Sequence, residues 1–369
     1  MRIVRQPHDV TMARTINFSP GPGTLPLSVL EEAQSELLEY GESGISMLEH
    51  SHRGASYSAV HAECKASLTR LLGCGDTHEV LFMTGGASTQ FALLPMNFLG
   101  GESADYVDTG VWSKKAFGAA KHYGKPRWAA SGRHEDVVLR APSDIDESDG
   151  ARYVHLTSNA TVSGVQYATF PKTKAPLVVD VSSDILHKPL DLSEVSLAYA
   201  GAQKNLGPAG VTLVIVRKDF LAKADKDIPD IFRYAFFAEQ DSLGNTPPTF
   251  AIYMVGKVLK WIEDSGGASS MGEQNAAKGA RLYGVIDAMS DFYRCPVEVG
   301  SRSLMNAVFH LPSDELTTRF VAEAAAQGMV NLKGHRSIGG IRASMYNATP
   351  LEHVEKLANF MTRFATENA

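Results

Sequence analysis

Asp180 ends one short apolar run, Leu177 to Val181, and Lys204 stands just beyond another, Val195 to Ala200. With a third run, Val211 to Val216, these read as buried strands bounded by Asp, Ser, Gly and Pro. Open α/β sheets gather ligands at the carboxyl ends of their strands, so an acid at one strand end and a lysine beyond a neighbouring strand can converge in one crevice. That pairing suits pyridoxal 5′-phosphate. The lysine condenses with the aldehyde, and the carboxylate keeps the ring nitrogen protonated so that the ring can take up electrons. The plainer alternative is an acid that caps the next turn and a lysine in solvent. Gly201 before Lys204 and Gly207-Pro208 after it argue against that, because they hold the loop in tight turns that a free surface lysine does not need.

The segment from Gly201 to Thr212, GAQKNLGPAGVT, resembles the cofactor-lysine segment of the phosphoserine aminotransferase family, within the fold-type I, class V pyridoxal-phosphate enzymes. The resemblance runs from about Asn17 onward. It implies an α/β fold: a large cofactor domain over residues 16–265 on a mostly parallel, seven-stranded-type sheet, then a smaller α+β domain over 266–369. The implied reaction carries an amino group from glutamate to 3-phosphohydroxypyruvate, giving O-phosphoserine and 2-oxoglutarate. Phosphohydroxythreonine, on the route to vitamin B6, is a second candidate substrate. The implied assembly is a homodimer with shared active sites.

Other stretches carry chemistry of their own. Thr84-Gly85-Gly86-Ala87-Ser88-Thr89 follows a predicted strand, Glu79 to Met83, and opens a predicted helix through Phe98, which offers free backbone N–H groups to a phosphate. No GxGxxG or Walker pattern is present, which weakens dinucleotide and nucleotide readings. By resemblance Ala87 and Ser88 contact the cofactor phosphate, although Ser88 stands where many bacterial members have arginine. Trp112, past the strand Ala104 to Asp108, can lay its flat face on a ring, and the resemblance makes it the stacking tryptophan. Thr161 is the implied hydroxyl contact to the ring oxygen, with Gln203 supporting the ring.

Gly244-Asn245-Thr246-Pro247-Pro248 cannot be helical, since the prolines remove donors and fix the backbone. In the family such an Asn and Thr reach the partner subunit's cofactor phosphate. Ser51-His52-Arg53-Gly54, before a predicted helix from Ser56 to Leu72, and the glycine-flanked bases His335, Arg336 and Arg342 are candidate anion sites. The resemblance assigns Arg342 to the α-carboxylate and His52, Arg53, His335 and Arg336 to the distal phosphate.

The chain has 369 residues, ordinary globular composition and a formal net charge of −6, so broad attraction to nucleic acid is not expected. No apolar run is long enough for a membrane span. Cys64, Cys74 and Cys295 form no CxxC pair, which fits a reducing cytoplasm and no metal site. Residues 1–15 read as a loose extension, a poor organelle presequence, with Met12 an alternative start. The run Asn17 to Gly23 reads as a rigid turn, with Pro26 opening a helix through about Tyr40. Two rivals remain. A cysteine desulfurase-like enzyme of the same class needs a reactive thiol on a mobile loop, for which Cys295 is the nearest candidate, and a non-catalytic phosphometabolite-binding module needs no buried lysine.

Overall fold

The computed structural model describes residues 14–135 and 137–369. The extension expected over residues 1–15, apart from Arg14 and Thr15, lies outside them, as does the alternative start at Met12.

Seven strands form the main sheet, in the spatial order His78–Met83, Thr212–Arg217, Val195–Gly201, Leu177–Asp180, Val154–Thr157, Ser103–Asp108, Lys125–Ser131. Thr212–Arg217 is antiparallel to both neighbours and all other neighbouring pairs are parallel, so the sheet is mostly parallel, as expected. Every residue of Leu177–Asp180 and Val195–Gly201 is buried, because helices cover both faces. Helices Ala55–Leu72 and Thr249–Asp264 pack on one face, and Gly86–Phe98 and Val111–Ala120 on the other. Ile252, Val255, Leu259 and Ile262 supply one buried stripe at helical spacing.

A second core gathers helices Asp314–Ala326 and Leu351–Asn368 and the antiparallel pair Asn306–Phe309 with Ile341–Ser344. Helix Gly267–Ala288 joins the two cores, contributing Ala268 and Met271 to the first and Leu282 and Ile286 to the second. Ile16 and Phe18 also pack in the second core, because Ile16–Asn17 pairs in parallel with Met329–Val330. Among the described residues no helix is long and apolar enough to cross a membrane.

One local expectation changes, and one strand was not expected. The helix after Pro26 covers only Leu27–Ser35 and does not reach Tyr40. Its buried face is spent at Val29 and Ala33, and Leu37 and Leu38 stand 43% and 70% exposed, so a longer helix would bury nothing more. Lys125–Ser131 is an additional edge strand, where Pro126 is tolerated because an edge leaves one row of backbone groups unpaired.

Candidate active site

Strand register sets the site. Asp180 lies level with Thr157 on one side and Tyr199 on the other. Gly201, Thr212 and Met83 align across three strands. The lysine loop therefore leaves and re-enters the sheet beside the glycine turn that follows Met83.

The loop is pinned from every side. Ala202 N–H donates to Val211 O at 3.1 Å and Gly207 N–H to Ala202 O at 2.9 Å. Asn205 Nδ2 donates to Ile185 O at 2.6 Å. The N-terminal turn closes over it, with Gly23 N–H donating to Gln203 O at 2.7 Å. A Cβ on Gly23 would stand 2.7 Å from Lys204 O and 2.8 Å from the Tyr346 ring, so only glycine permits this approach.

Lys204 Nζ donates to Thr161 Oγ1 at 2.7 Å and sits 5.3 Å from the Trp112 ring centroid. Desolvation pulls its amine down to about 8, against the opposing fields of Asp180 and Asp184, with Arg342 adding to the lowering. Burial pushes the Asp180 carboxyl up, while Lys204 and hydrogen bonds from Ser182 hold it down. Both Ser182 bonds, at 3.0 and 2.6 Å, fall on Oδ1, and Oδ2 accepts none among the described residues. One carboxylate oxygen is anchored and the other is open.

Arg342 is buried, and its guanidinium donates to Thr161 O at 3.3 Å. Among the described residues it has no carboxylate partner, and its Nε has no acceptor. Burial lowers its pKa. A buried guanidinium in that state is costly unless a ligand supplies the anion. The neighbouring loop folds on itself, with Gly334 N–H bonded to Gly340 O at 2.8 Å, and presents His335 and Arg336. Desolvation and then Arg342, Arg336 and Lys115 lower the His335 pKa, and its Nδ1 meets Ser337 Oγ at 2.7 Å.

Gly85 and Gly86 take φ of 86° and 67° at the start of helix Gly86–Phe98, and no side chain caps that end. The backbone N–H groups of Ala87 and Ser88 in this first turn have no partner within the helix. Ser88 is exposed and short, so its backbone is what it can offer an anion there.

These groups fit pyridoxal phosphate. Four buried polar atoms, Thr109 Oγ1, Trp112 Nε1, Thr157 Oγ1 and Arg342 Nε, have no partner among the described residues. Asp180 Oδ2 could meet a protonated ring nitrogen, the Trp112 face a ring and the glycine-turn helix a phosphate. Sequence reasoning passed over Asp184, a buried carboxylate bonded by Ser158 Oγ and by Gln166 Nε2 at 3.1 Å. Its only signal was a position just past the strand end of Asp180.

The remaining sequence candidates stand apart from Lys204. His52 is half-buried and Arg53 exposed ahead of helix Ala55–Leu72. Asn245 lines a cavity of about 190 Å³ with Met83, Thr84 and Thr89, and Thr246 is exposed. Among the described residues, no hydrogen bond or ion pair joins any of the four to Lys204, Asp180 or Arg342. The desulfurase alternative loses support: Cys295 is half-buried, bonded to Val297 O at 3.9 Å, and burial raises its thiol pKa.

The family model "Aminotransferase class-V" matches residues 15–357. The phosphoserine aminotransferase of Niallia circulans is 51% identical over 354 residues, 95% of this chain and 98% of that protein. A solved phosphoserine aminotransferase from Bacillus circulans subsp. alkalophilus superposes with a TM-score of 0.94 at 50% identity, covering 96% of this chain and 99% of that one. A pyridoxal-phosphate-bound phosphoserine aminotransferase from Trichomonas vaginalis gives 0.89 at 35% identity, covering 95% and 100%. With a lysine, an acid and an unpaired arginine gathered at the sheet edge of this fold, the chain belongs to the phosphoserine aminotransferase family of class-V, pyridoxal-phosphate-dependent transaminases.

Proposed function

We propose that the protein transfers the amino group of glutamate to 3-phosphohydroxypyruvate, giving O-phosphoserine and 2-oxoglutarate, a step of serine biosynthesis. The observation that carries this reading is Arg342, a buried guanidinium beside Thr161 and Lys204 with no carboxylate partner among the described residues. Glutamate and phosphoserine both bear an α-carboxylate, so one planar fork serves both half-reactions. Each also bears a distal anion, which His335 and Arg336, with His52 and Arg53, hold.

When bound, the cofactor supplies an electron sink for the charge that develops at the substrate's Cα. Asp180 would hold the ring-nitrogen proton through Oδ2. Lys204 Nζ, once its amine is free, would shuttle the proton between the substrate's Cα and the cofactor, as general base and then as general acid. Thr161 Oγ1 and Gln203 would steady the ring, and Trp112 would offer it a flat face. The N–H groups of Ala87 and Ser88 would hold the phosphate, joined by Asn245 and Thr246 of the partner subunit.

Asn245 and Thr246 belong to the partner's site in this reading, so the working unit is a homodimer. Two observations support it: among the described residues the pair makes no bond to Lys204 of its own chain, and Leu37, Leu38, Ile45 and Leu48 are apolar side chains left 41–70% exposed, which a second copy would cover. Cys64, Cys74 and Cys295 are all free thiols, which supports a reducing cytoplasm.

The test is turnover with glutamate against three acceptors: 3-phosphohydroxypyruvate, the keto acid precursor of phosphohydroxythreonine, and pyruvate. A strong preference for the phosphorylated acceptors is expected, and their relative rates decide the vitamin-B6 role. Equal or better turnover of pyruvate would overturn the distal-anion assignment.

A further inference from the structure

Helix Gly267–Ala288 carries a lysine that the chemistry above leaves unused. Lys278 is 1% exposed and has no acidic partner among the described residues. Its Nζ donates to three backbone carbonyls: Met345 O at 3.0 Å, Tyr346 O at 2.8 Å and Thr349 O at 3.1 Å. An ammonium has three N–H groups and a neutral amine two, so this arrangement is filled only by the charged form. Burial pulls the group down to about 7, yet the three carbonyl dipoles favour the charge, and the geometry decides for the ammonium.

One turn earlier, on the same helix face, Asn275 Nδ2 donates to Asn347 Oδ1 and to His187 O, both at 2.8 Å. Two side chains of one helix therefore grip a single segment, Met345 to Thr349, from behind. That segment begins where the strand carrying Arg342 ends, at Ser344. Its front reaches the site in two places. Tyr346 OH donates to Pro20 O at 2.6 Å, and its ring abuts Gly23 in the turn that covers Lys204. Asn347 N–H donates at 2.9 Å to Oδ1 of Asn205, the residue after Lys204, and its Nδ2 donates at 2.9 Å to Leu186 O.

We propose that Lys278 is a positioning residue for recognition of the substrate α-carboxylate: its ammonium seats the Met345–Thr349 segment, and that segment fixes Arg342 against Thr161 and Lys204. The inference rests on the assignment of Arg342 above. Burying a charge is costly, and here the three carbonyl bonds that offset the cost all fall on one short segment, which ties its backbone to the helix.

The experiment compares Lys278→Met, Asn347→Ala and Arg342→Lys in the cofactor-loaded enzyme, measuring KM and kcat for glutamate and for alanine, the visible cofactor spectrum and Tm. Lys278→Met keeps an unbranched buried chain and removes the donors. The expected result is a rise of about tenfold or more in KM for both donors, with a smaller change in kcat and an unchanged spectrum. A smaller rise of the same kind is expected for Asn347→Ala. A fall in Tm with both KM values within about twofold would mean that Lys278 only supports the fold, and would overturn the proposal. Should Lys278→Met not fold, Asn347→Ala decides by the same criterion. Arg342→Lys separates the two readings: unchanged KM there condemns the carboxylate assignment itself, whereas raised KM there with normal KM in the other two condemns only the role of Lys278.

Discussion

Lys204 Nζ and Thr161 Oγ1 lie 2.7 Å apart across 43 residues of chain, and the backbone oxygen of the same threonine accepts the Arg342 guanidinium at 3.3 Å. Thr161 thus touches both the amine that anchors the cofactor and the cation assigned to the substrate. A displacement of any one of the three is transmitted to the other two.

Lys204→Ala is expected to fold, to bind pyridoxal phosphate without a covalent link and to lose nearly all turnover. Steady-state rates and borohydride labelling check it, with the label absent from the variant and located on Lys204 in the parent. Turnover within about tenfold of the parent would sink the assignment, since that is only ~1.4 kcal/mol of barrier.

The lowered amine gives a pH signature. An ordinary lysine titrates at 10.5, and Lys204 at about 8. In cofactor-free protein the rate of pyridoxal-phosphate capture should climb with pH and level off above about 8, because only the neutral amine attacks the aldehyde. Linkage has the matching sign. Between about 8 and 10.5 the unfolded chain holds more protons at this site than the native one, so the desolvation penalty, full below 8, is relieved as pH rises. A capture rate that levels off only near 10.5 would show that Lys204 is not desolvated.

Arg342→Lys and Arg53→Lys separate the two anion roles. Lysine keeps the charge and loses the planar fork, so Arg342→Lys should raise KM by about tenfold or more for every amino donor, alanine included. Arg53→Lys should weaken only substrates with a distal anion and leave the cofactor bound. If both variants affected phosphorylated substrates alone, the division of labour would be wrong.

Much of this site was legible in the sequence. Asp180 closes and Lys204 follows apolar runs that read as buried strands, and Gly85-Gly86 announces the turn whose positive φ the helix start needs. Asp184 was not legible, because its importance comes from Ser158 and Gln166, which reach it from other parts of the chain. The strand at Met329–Val330 was legible, but its pairing with the two-residue strand Ile16–Asn17 was not, because it spans almost the whole chain. Lys125–Ser131 mixes charge, proline and small residues, as an edge strand can and a central one cannot.

The shared-site reading predicts complementation. A Lys204 variant and a variant inactivated at Asn245 and Thr246 are unfolded, mixed equally and refolded. In a mixed dimer one site collects both defects and the other neither, so with random pairing activity should recover to roughly a quarter of the parent's. Mixed dimers shown to be present but inactive would mean that the turn serves its own subunit.

The parallel pairing of Ile16–Asn17 with Met329–Val330 also sets an order of assembly during synthesis. The first described residues leave the ribosome early and find their strand partner only after most of the chain has followed. Until then the turn that closes over Lys204 is moored at one end only, through Gly23 to Gln203. A nascent chain stalled before Met329 can complete its seven-stranded sheet and still lack a seated cover for the lysine. The cover over Lys204 is therefore seated only when residues from opposite ends of the described chain have paired.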